Sequence, residues 1–220
     1  MSFIKDLFLQ QFLADEINRA SPRTQSALLE AMGEKQATID GNLYKLDPLF
    51  FVIATQNPIE LEGTYPLPEA QMDRFGLKFS LGYLSFEEEI EMLTQREHDD
   101  PLDKIDIVAS EIDIVNMRKE IDKVTISEEL KGYIVKIVRE TRNNENILIG
   151  ASSRASLTLI KLSKVLAFFD ESSYVKPDYI YELAIHVIAH RLLLAPQAKF
   201  SGESSKGVVE KILKDISIPI

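Results

Sequence analysis

Two adjacent carboxylates, Asp15 and Glu16, directly follow the apolar residues Leu13 and Ala14. An apolar run that ends in acids is typical of a buried parallel strand, whose carboxyl end faces the ligand side of an open α/β sheet. In nucleoside triphosphate hydrolysis, one acid at this place holds Mg²⁺ on the phosphates and a second orients the attacking water. Since many strands end in acids, the alternative interpretation is an acidic turn that caps the next helix.

Three further side chains suit phosphoryl transfer: Asn57, Arg74 and Arg154. Asn57 follows the apolar run 50–55 and would lie beside the acid pair if the two strands are neighbours. Two acids, one amide and two arginines supply the charge and orientation that such a site needs. Each residue also has a simpler interpretation, which is a turn residue for Asn57, a surface ion pair for Arg74 and a helix start for Arg154.

A pair of histidines, His186 and His190, stands four residues apart on a predicted helix. This spacing can bind a metal ion, but the glutamate of an H-E-x-x-H motif is missing and no third ligand is evident. We therefore expect the two rings to serve packing and hydrogen bonding at the end of the helix.

The composition restricts the class of protein. The 220 residues carry a formal charge of −10, from 25 basic and 35 acidic residues, and contain no cysteine. An acidic chain repels a phosphate backbone, so we expect no nucleic-acid binding. The absence of cysteine excludes disulfides and zinc-thiolate sites. No apolar stretch is long enough for a membrane span, and residues 1–6 do not resemble a signal peptide, which predicts a cytoplasmic protein.

Before Gly82, the pattern predicts an incomplete α/β unit. The predicted elements are a strand over 7–14, a helix that starts at Ser21-Pro22 and is ended or weakened by Gly33, a hairpin over 36–46, a strand over 50–55, a loop with a short helix over 58–73, and a strand over 79–81.

After Gly82, the pattern becomes helical. The predicted helices cover 85–96, 107–120, 127–143, 154–169, 177–193 and 207–214, with a linker over 98–104 and a mobile polar tail over 196–206. The predicted organisation is therefore an α/β unit over residues 1–82 and a helical unit over residues 83–220.

Several separated motifs resemble the MoxR family of AAA+ ATPases. The matching stretches are 13–20, 26–32, 53–58, 63–71, 73–75 and 150–152. The resemblance runs from about Leu13 nearly to the C-terminus. It implies a parallel-sheet AAA+ core over 1–82 without its P-loop half, followed by an all-helical lid domain over 83–220.

The resemblance also implies roles for individual residues, with ATP and Mg²⁺ as ligands. Asp15 and Glu16 match the Walker B acids, Asp15 for Mg²⁺ through water and Glu16 for activation of water. Asn57 matches sensor 1, Arg74 the arginine finger that acts on a neighbouring subunit, and Arg154 sensor 2 of the lid. Ser153 departs from the proline that is more usual in the sensor 2 motif.

For the whole protein, the resemblance implies a homo-oligomeric ring, expected to be a hexamer. Its function would be chaperone-like remodelling or maturation of client proteins, often with a von Willebrand factor A-type partner. The hairpin over 36–46 matches the one that such rings direct toward the pore.

One departure from the family is severe, because the 220 residues contain no G-x-x-x-x-G-K-[ST] motif. That loop supplies most phosphate contacts, and the loss of one charge-stabilising group alone costs roughly 3–4 kcal/mol in a transition state. We therefore expect this chain alone to lack hydrolysis and its partial sheet to expose an edge and an apolar face. The alternative is a catalytically inactive interaction module that docks on other AAA+ subunits.

Overall fold

A computed structural model describes residues 11–39, 41–57, 64–97 and 105–219. The first part of the described chain contains both strands and helices. These elements are β1 (Gln11–Ala14), α1 (Pro22–Glu34), β2 (Gln36–Ile39), β3 (Asn42–Lys45), β4 (Phe51–Ala54) and α2 (Glu69–Met72).

Strands β1 and β4 pair in parallel, with Ala14 opposite Ala54. The pairing continues past both strands, because the Thr55 amide donates to the Ala14 carbonyl over 3.0 Å and the Ile17 amide to the Thr55 carbonyl over 3.0 Å. The two strands predicted to be neighbours therefore end at the same sheet edge. Of the predicted strand 7–14, residues 11–14 are confirmed, and residues 7–10 lie outside the described residues.

Helix α1 begins as its sequence predicts. The Ser21 hydroxyl accepts from the Thr24 amide over 3.3 Å, and Pro22 occupies the first helical position, where no amide hydrogen is needed. The helix continues through Gly33 and ends before Lys35, whose φ is 51°. Gly33 therefore does not end the helix.

The predicted hairpin is confirmed as antiparallel β2 and β3, with Ile39 opposite Asn42. The turn between them uses Gly41 at φ 79°, a left-handed conformation that glycine adopts without a steric penalty.

The predicted strand over 79–81 is wrong, since these residues are irregular in the structure. The described sheet with parallel strands contains only β1 and β4, so the segment has no described strand beside it to pair its backbone groups. Its apolar side chains are open to solvent, and Leu81 is 92% exposed.

The rest of the described chain is mainly helical. Its helices are α3 (Phe86–Arg96), α4 (Glu111–Lys123), α5 (Glu128–Asn143), α6 (Ser153–Phe169), α7 (Pro177–Ile188), α8 (Pro196–Phe200) and α9 (Ser205–Asp215). The capping box of Ser85 and Glu88 is confirmed at α3. Helix α4 begins later than predicted because Ser110 and Asp113 form a second capping box there.

Two expectations near the C-terminus are wrong. The predicted helix 177–193 ends at Ile188 and is followed by a 3₁₀ turn, Ala189–Arg191. The segment 196–206, expected to be mobile, begins with α8, whose Ala198 is buried. A buried alanine on a short helix fixes a segment that its polar composition alone does not.

The helical region also contains a small sheet, in which β5 (Ile147–Ile149) pairs antiparallel with β6 (Leu193–Leu194). These strands tie the end of α5 to the chain that follows α7. Among the described residues, no helix is long and apolar enough to cross a membrane.

Two apolar clusters form the core. The larger one lies among α5, α6, α7 and α9, and its fully buried side chains include Ile134, Ile137, Leu159, Ile180 and Val209. The smaller one joins α1 to the hairpin and β4 through Ala31, Ala37, Leu46 and Phe50. Since a fully buried aliphatic side chain contributes roughly 1.5–3 kcal/mol, the larger cluster carries most of the apolar stabilisation. The division at residues 82 and 83 stays a prediction.

The segment after α2 attaches to the helical region through backbone groups. The Lys78 amide donates to the His186 carbonyl over 3.0 Å, and His190 Nε2 lies 3.1 Å from the Phe75 carbonyl. A ring nitrogen that faces a carbonyl must carry a proton, so the Nε2 of His190 is the donor in this contact. Both histidines therefore contact the segment 75–78.

Gly150 and Gly132 offer a matched test of packing. A Cβ on Gly150 would lie 2.6 Å from the Thr141 carbonyl oxygen and 2.8 Å from the Arg142 Cα, whereas nothing lies within 4 Å at Gly132, which is exposed on α5. We expect Gly150→Ala to lower the free energy of unfolding by about 1–3 kcal/mol. Gly132→Ala should raise it by about 0.5–1 kcal/mol, because alanine is the better helix former. Urea unfolding followed by circular dichroism measures both, and equal effects would contradict the close packing at Gly150.

His190 predicts a pH dependence of stability. Burial, followed by the nearby charge of Arg191, lowers the pKa of His190 to about 4. The unfolded chain protonates His190 near pH 6.5, whereas the folded chain does so only near pH 4. The contribution of neutral His190 to the free energy of unfolding is therefore fully present above pH 6.5 and is lost as the pH falls toward 4. The loss should reach on the order of 2–3 kcal/mol.

The free energy of unfolding, measured by urea titration between pH 4 and 7, checks this dependence. His190→Gln keeps a donor for the Phe75 carbonyl but does not titrate, so its curve should be flatter than that of the wild type. His186→Gln is the matched control, and if both variants flatten the curve equally, His190 is not the responsible group.

Candidate functional site

The predicted acid pair is held by a threonine of the neighbouring strand. The Thr55 hydroxyl donates to Asp15 Oδ1 over 2.5 Å and accepts from the Glu16 amide over 2.8 Å. Thr55 therefore orients the Asp15 carboxylate and fixes the chain between the two acids. Thr55 was not among the predicted site residues, although its place at the end of an apolar run was a usable signal.

Glu16 has an unusual backbone conformation, with φ 47° and ψ 52°. Non-glycine residues at positive φ are uncommon, and such strained conformations cluster at functional sites. Its carboxylate Oε2 lies 3.1 Å from Arg19 Nε. A strained backbone and an arginine together fix the position of Glu16 at the strand end.

Asn57 reaches the same edge of the sheet through Asn18. The side-chain amide of Asn18, which is buried, donates to the Asn57 carbonyl over 3.3 Å. The buried Gln25 side chain donates to the carbonyls of Ile17, over 3.1 Å, and Tyr65, over 3.0 Å. The structure thus places Asp15, Glu16 and the Asn57 backbone at one sheet edge, supported by two buried amides that were not among the predicted site residues.

Asp15 is exposed, and it fits the role of a magnesium ligand. Thr55 occupies Oδ1 of Asp15. Mg²⁺ usually binds one or two carboxylates and completes its octahedron with water and phosphate oxygens. Among the described residues, no group of three or more His, Cys, Asp and Glu side chains could hold a metal ion. The chemistry of the donors therefore suits a hydrated ion that nucleotide phosphates also hold, rather than an all-protein cage.

A mostly apolar cleft of about 330 Å³ borders Asp15, between β1, α1 and β2. Leu13 lines it and is largely exposed, as is Ile53 on the paired strand. The expected apolar exposure of the sheet is therefore present, and this surface suits apolar side chains rather than phosphates.

Arg74 lies against helix α1 of its own chain. Its Nη1 donates to the Leu29 carbonyl over 2.5 Å, and the same nitrogen covers the backbone of Gly33. A β-carbon at Gly33 would collide with this guanidinium, which explains a glycine inside the helix. The predicted arginine finger is thus folded onto α1 in the single chain.

Arg154 lies beside Asp73, the residue that precedes Arg74. Asp73 Oδ2 is 3.6 Å from Arg154 Nη1, and Asp73 Oδ1 accepts from Arg191 Nε over 3.0 Å. The Ser152 hydroxyl donates to the same carboxylate, over 3.1 Å to Oδ1 and 3.0 Å to Oδ2. Neither Asp73 nor Arg191 was among the predicted site residues, since only the fold brings them together.

The five predicted residues therefore form two groups in the described structure. Asp15, Glu16 and Asn57 share the sheet edge, while Arg74 and Arg154 lie around α1 and Asp73. Segment 73–78 links the second group to α7 and to the 3₁₀ turn that follows it.

The close approach of Arg74 to Gly33 can be tested by a double-mutant cycle. In an Arg74→Ala background, Gly33→Ala should raise the free energy of unfolding by about 0.5–1 kcal/mol, as in an ordinary helix interior. With Arg74 present, the gain should be smaller by about 1 kcal/mol, because the guanidinium must leave the Leu29 carbonyl. Urea unfolding of the four proteins measures the coupling. Equal gains in the free energy of unfolding in both backgrounds would show that the Arg74 guanidinium does not require a glycine at position 33.

Comparison with known proteins agrees with both regions of the fold. A family model described as ATPase family associated with various cellular activities (AAA) matches residues 4–77. A second model, the AAA lid domain, matches residues 139–212.

Similar proteins cover almost the whole chain. The uncharacterized protein YeaC of Bacillus subtilis is 44% identical over 208 residues, which are 94% of this chain and 65% of YeaC. Chaperone MoxR1 of Mycobacterium tuberculosis is 38% identical over 216 residues, 94% of this chain and 57% of MoxR1. A crystal structure of a Cytophaga hutchinsonii protein assigned as an ATPase is 42% identical, with a TM-score of 0.89 over 97% of this chain and 68% of that one.

The chain thus spans less than two thirds of each of these two curated relatives, at 65% and 57% of their lengths. Both family models, and relatives named MoxR at lower identity, agree with the motifs on which the resemblance rests. The chain belongs to the MoxR family of AAA+ ATPases.

Proposed function

We propose that this chain carries the magnesium, water-activating and arginine residues of a MoxR-type ATPase that remodels or matures partner proteins. The observation that supports this most is the orientation of Asp15 by Thr55 at the sheet edge that also holds Glu16 and Asn57. Membership of the AAA+ family and the similarity to a chaperone support the same function.

Each residue has a distinct role in the proposed reaction. Asp15 would hold Mg²⁺ through water, and the ion supplies positive charge beside the phosphates. Glu16 accepts a proton from the attacking water, while the Asn57 amide orients that water. Arg154, which lies in the helical region, binds phosphate oxygens of the nucleotide. Arg74 leaves its own α1 and completes the site of a neighbouring subunit.

The phosphate cradle has to come from other residues, because the 220 residues contain no P-loop motif. Backbone amides and a lysine of that loop supply most contacts to the phosphates in such enzymes. We therefore propose that these 220 residues alone bind MgATP weakly and do not hydrolyse it.

The assembly and its partners are part of the same proposal. We propose a homo-oligomeric ring, a hexamer, in the cytoplasm, with client proteins and a von Willebrand factor A-type partner. Residues 1–82 form its AAA+ core region and residues 83–220 its lid. The proposed action of Arg74 on a neighbour requires at least two subunits.

A second candidate function is an inactive module that docks on other AAA+ subunits. All residues from 76 to 97 are exposed, including Tyr83 and Phe86, and Ile107 and Val108 are almost completely exposed as well. An apolar surface of this extent is typical of an interaction site. It supports docking without any requirement for hydrolysis.

The proposed chemistry can be tested by joining a strand–P-loop–helix segment of an AAA+ ATPase ahead of Gln11. We expect this longer protein to hydrolyse ATP, and Glu16→Gln to lower the turnover by about 10²–10⁴-fold without loss of MgATP binding, since general-base catalysis contributes this factor. Turnover is followed by phosphate release and binding by calorimetry. The matched control is Glu140→Gln, at an exposed position of α5.

Two outcomes would count against the proposal. If Glu16→Gln hydrolyses ATP at the wild-type rate, Glu16 is not the base. If a folded longer protein binds no MgATP, the docking module becomes the better explanation, and clear MgATP binding by the 220 residues alone would refute the need for a separate cradle.

A further inference from the structure

The Asp73 carboxylate is shared by three groups of the helical region. Arg191 Nε lies 3.0 Å and Arg154 Nη1 lies 3.6 Å from its oxygens, and the Ser152 hydroxyl donates to both oxygens. Ser152 is also the N-cap of α6, because its hydroxyl accepts from the Arg154 amide over 3.2 Å. The Asp73 carboxylate therefore connects the chain next to Arg74 with the start of α6.

The two arginines around Asp73 are held very differently. The Arg191 side chain is 2% exposed and also donates to backbone carbonyls, among them Phe75 over 2.7 Å and Val187. The Arg154 side chain is 58% exposed, and its contact with Asp73 is longer than the roughly 2.7–2.9 Å of a strong charge-assisted hydrogen bond. The contact of Arg191 with Asp73 is thus fixed, whereas Arg154 can exchange Asp73 for another anion.

The departure of Arg154 would leave Asp73 well satisfied. Arg191 still neutralises the carboxylate, and Ser152 still donates to it. An exposed ion pair contributes little to stability, so a phosphate group can compete for Arg154 without leaving a buried charge alone.

We propose that Asp73 is a positioning residue that holds Arg154 when no nucleotide is present, and that phosphate groups compete with Asp73 for this arginine. The proposal rests on the proposed binding of nucleotide by Arg154. Because Asp73 adjoins Arg74, the release of Arg154 changes the contacts at the start of α6 and beside Arg74 together. Binding of a phosphate to Arg154 thereby changes the contacts of Asp73, next to Arg74, which is proposed to act on the site of a neighbouring subunit.

The test uses inorganic tripolyphosphate and the full 220-residue chain at low ionic strength. Asp73→Asn should bind tripolyphosphate about two- to fivefold more tightly than the wild type, because Arg154 loses its competitor. The gain should vanish when Arg154→Ala is added. Asp106→Asn and Arg139→Ala, both at exposed residues, are the matched controls for the loss of one charge of each sign. A simple structural role of Asp73 predicts lower stability but no tighter binding.

A second measurement does not depend on folding of Asp73→Asn. In the wild type, tripolyphosphate should shift the Nε–Hε resonance of Arg154 and leave that of Arg191 in place. Unchanged affinity in folded Asp73→Asn, an unmoved Arg154 resonance, or equal shifts of both arginines would overturn the proposal.

These outcomes are distinct from a failure of the proposed function. Competition at Arg154 requires neither magnesium nor turnover, whereas the proposed function is judged by hydrolysis in the longer protein. Competition without hydrolysis would refute the proposed ATPase activity and support the positioning role of Asp73. Hydrolysis without competition would support the ATPase activity and refute the role of Asp73.

Discussion

The buried guanidinium of Arg191 is the group on which the connection between the two regions depends. A buried cation is costly unless it is paired and its hydrogens are bonded. Arg191 meets this condition because segment 73–76 supplies the Asp73 carboxylate and the Phe75 and Gly76 carbonyls, in addition to the Val187 carbonyl of α7. Burial lowers its pKa, and the charge of Asp73 opposes that shift. The helical region therefore cannot release the segment without leaving a charge without a partner inside its own core.

This constraint gives the segment after α2 a fixed place on the helical region, although its side chains beyond Gly76 are exposed. The hydrogen bond between Lys78 and His186 continues the attachment along α7. Arg74 lies within the anchored stretch and is bonded to α1 on the other side. Both neighbours of Arg74, Asp73 and Phe75, are bonded to Arg191, so the backbone on each side of Arg74 is attached to the 3₁₀ turn that follows α7.

The sequence was informative at several places where local chemistry decides the structure. Caps such as Ser85 with Glu88, the tight turn at Gly41 and the acids after an apolar strand depend on neighbours within a few residues. The predicted group of Asp15, Glu16 and Asn57 at one sheet edge followed from parallel pairing, and the structure confirms that they lie together. The family roles assigned to these residues stay predictions.

Long-range partners explain what the sequence did not predict. Residues 79–81 alternate like a strand, but a strand exists only if another one pairs with it. Gly33 looked like a helix stop, and only the distant Arg74 explains it. Asp73 and Arg191 are 118 residues apart, so no local pattern could join them.

The left-handed backbone of Glu16 has a consequence for how this chain changes under selection. Glycine would relieve the strain there, by roughly 1 kcal/mol, while it removes the carboxylate. Laboratory evolution for thermostability alone would therefore favour loss of this side chain. Under the proposed role of Glu16 in water activation, activity would select the carboxylate and stability would select glycine, so the two properties would favour different amino acids at one position.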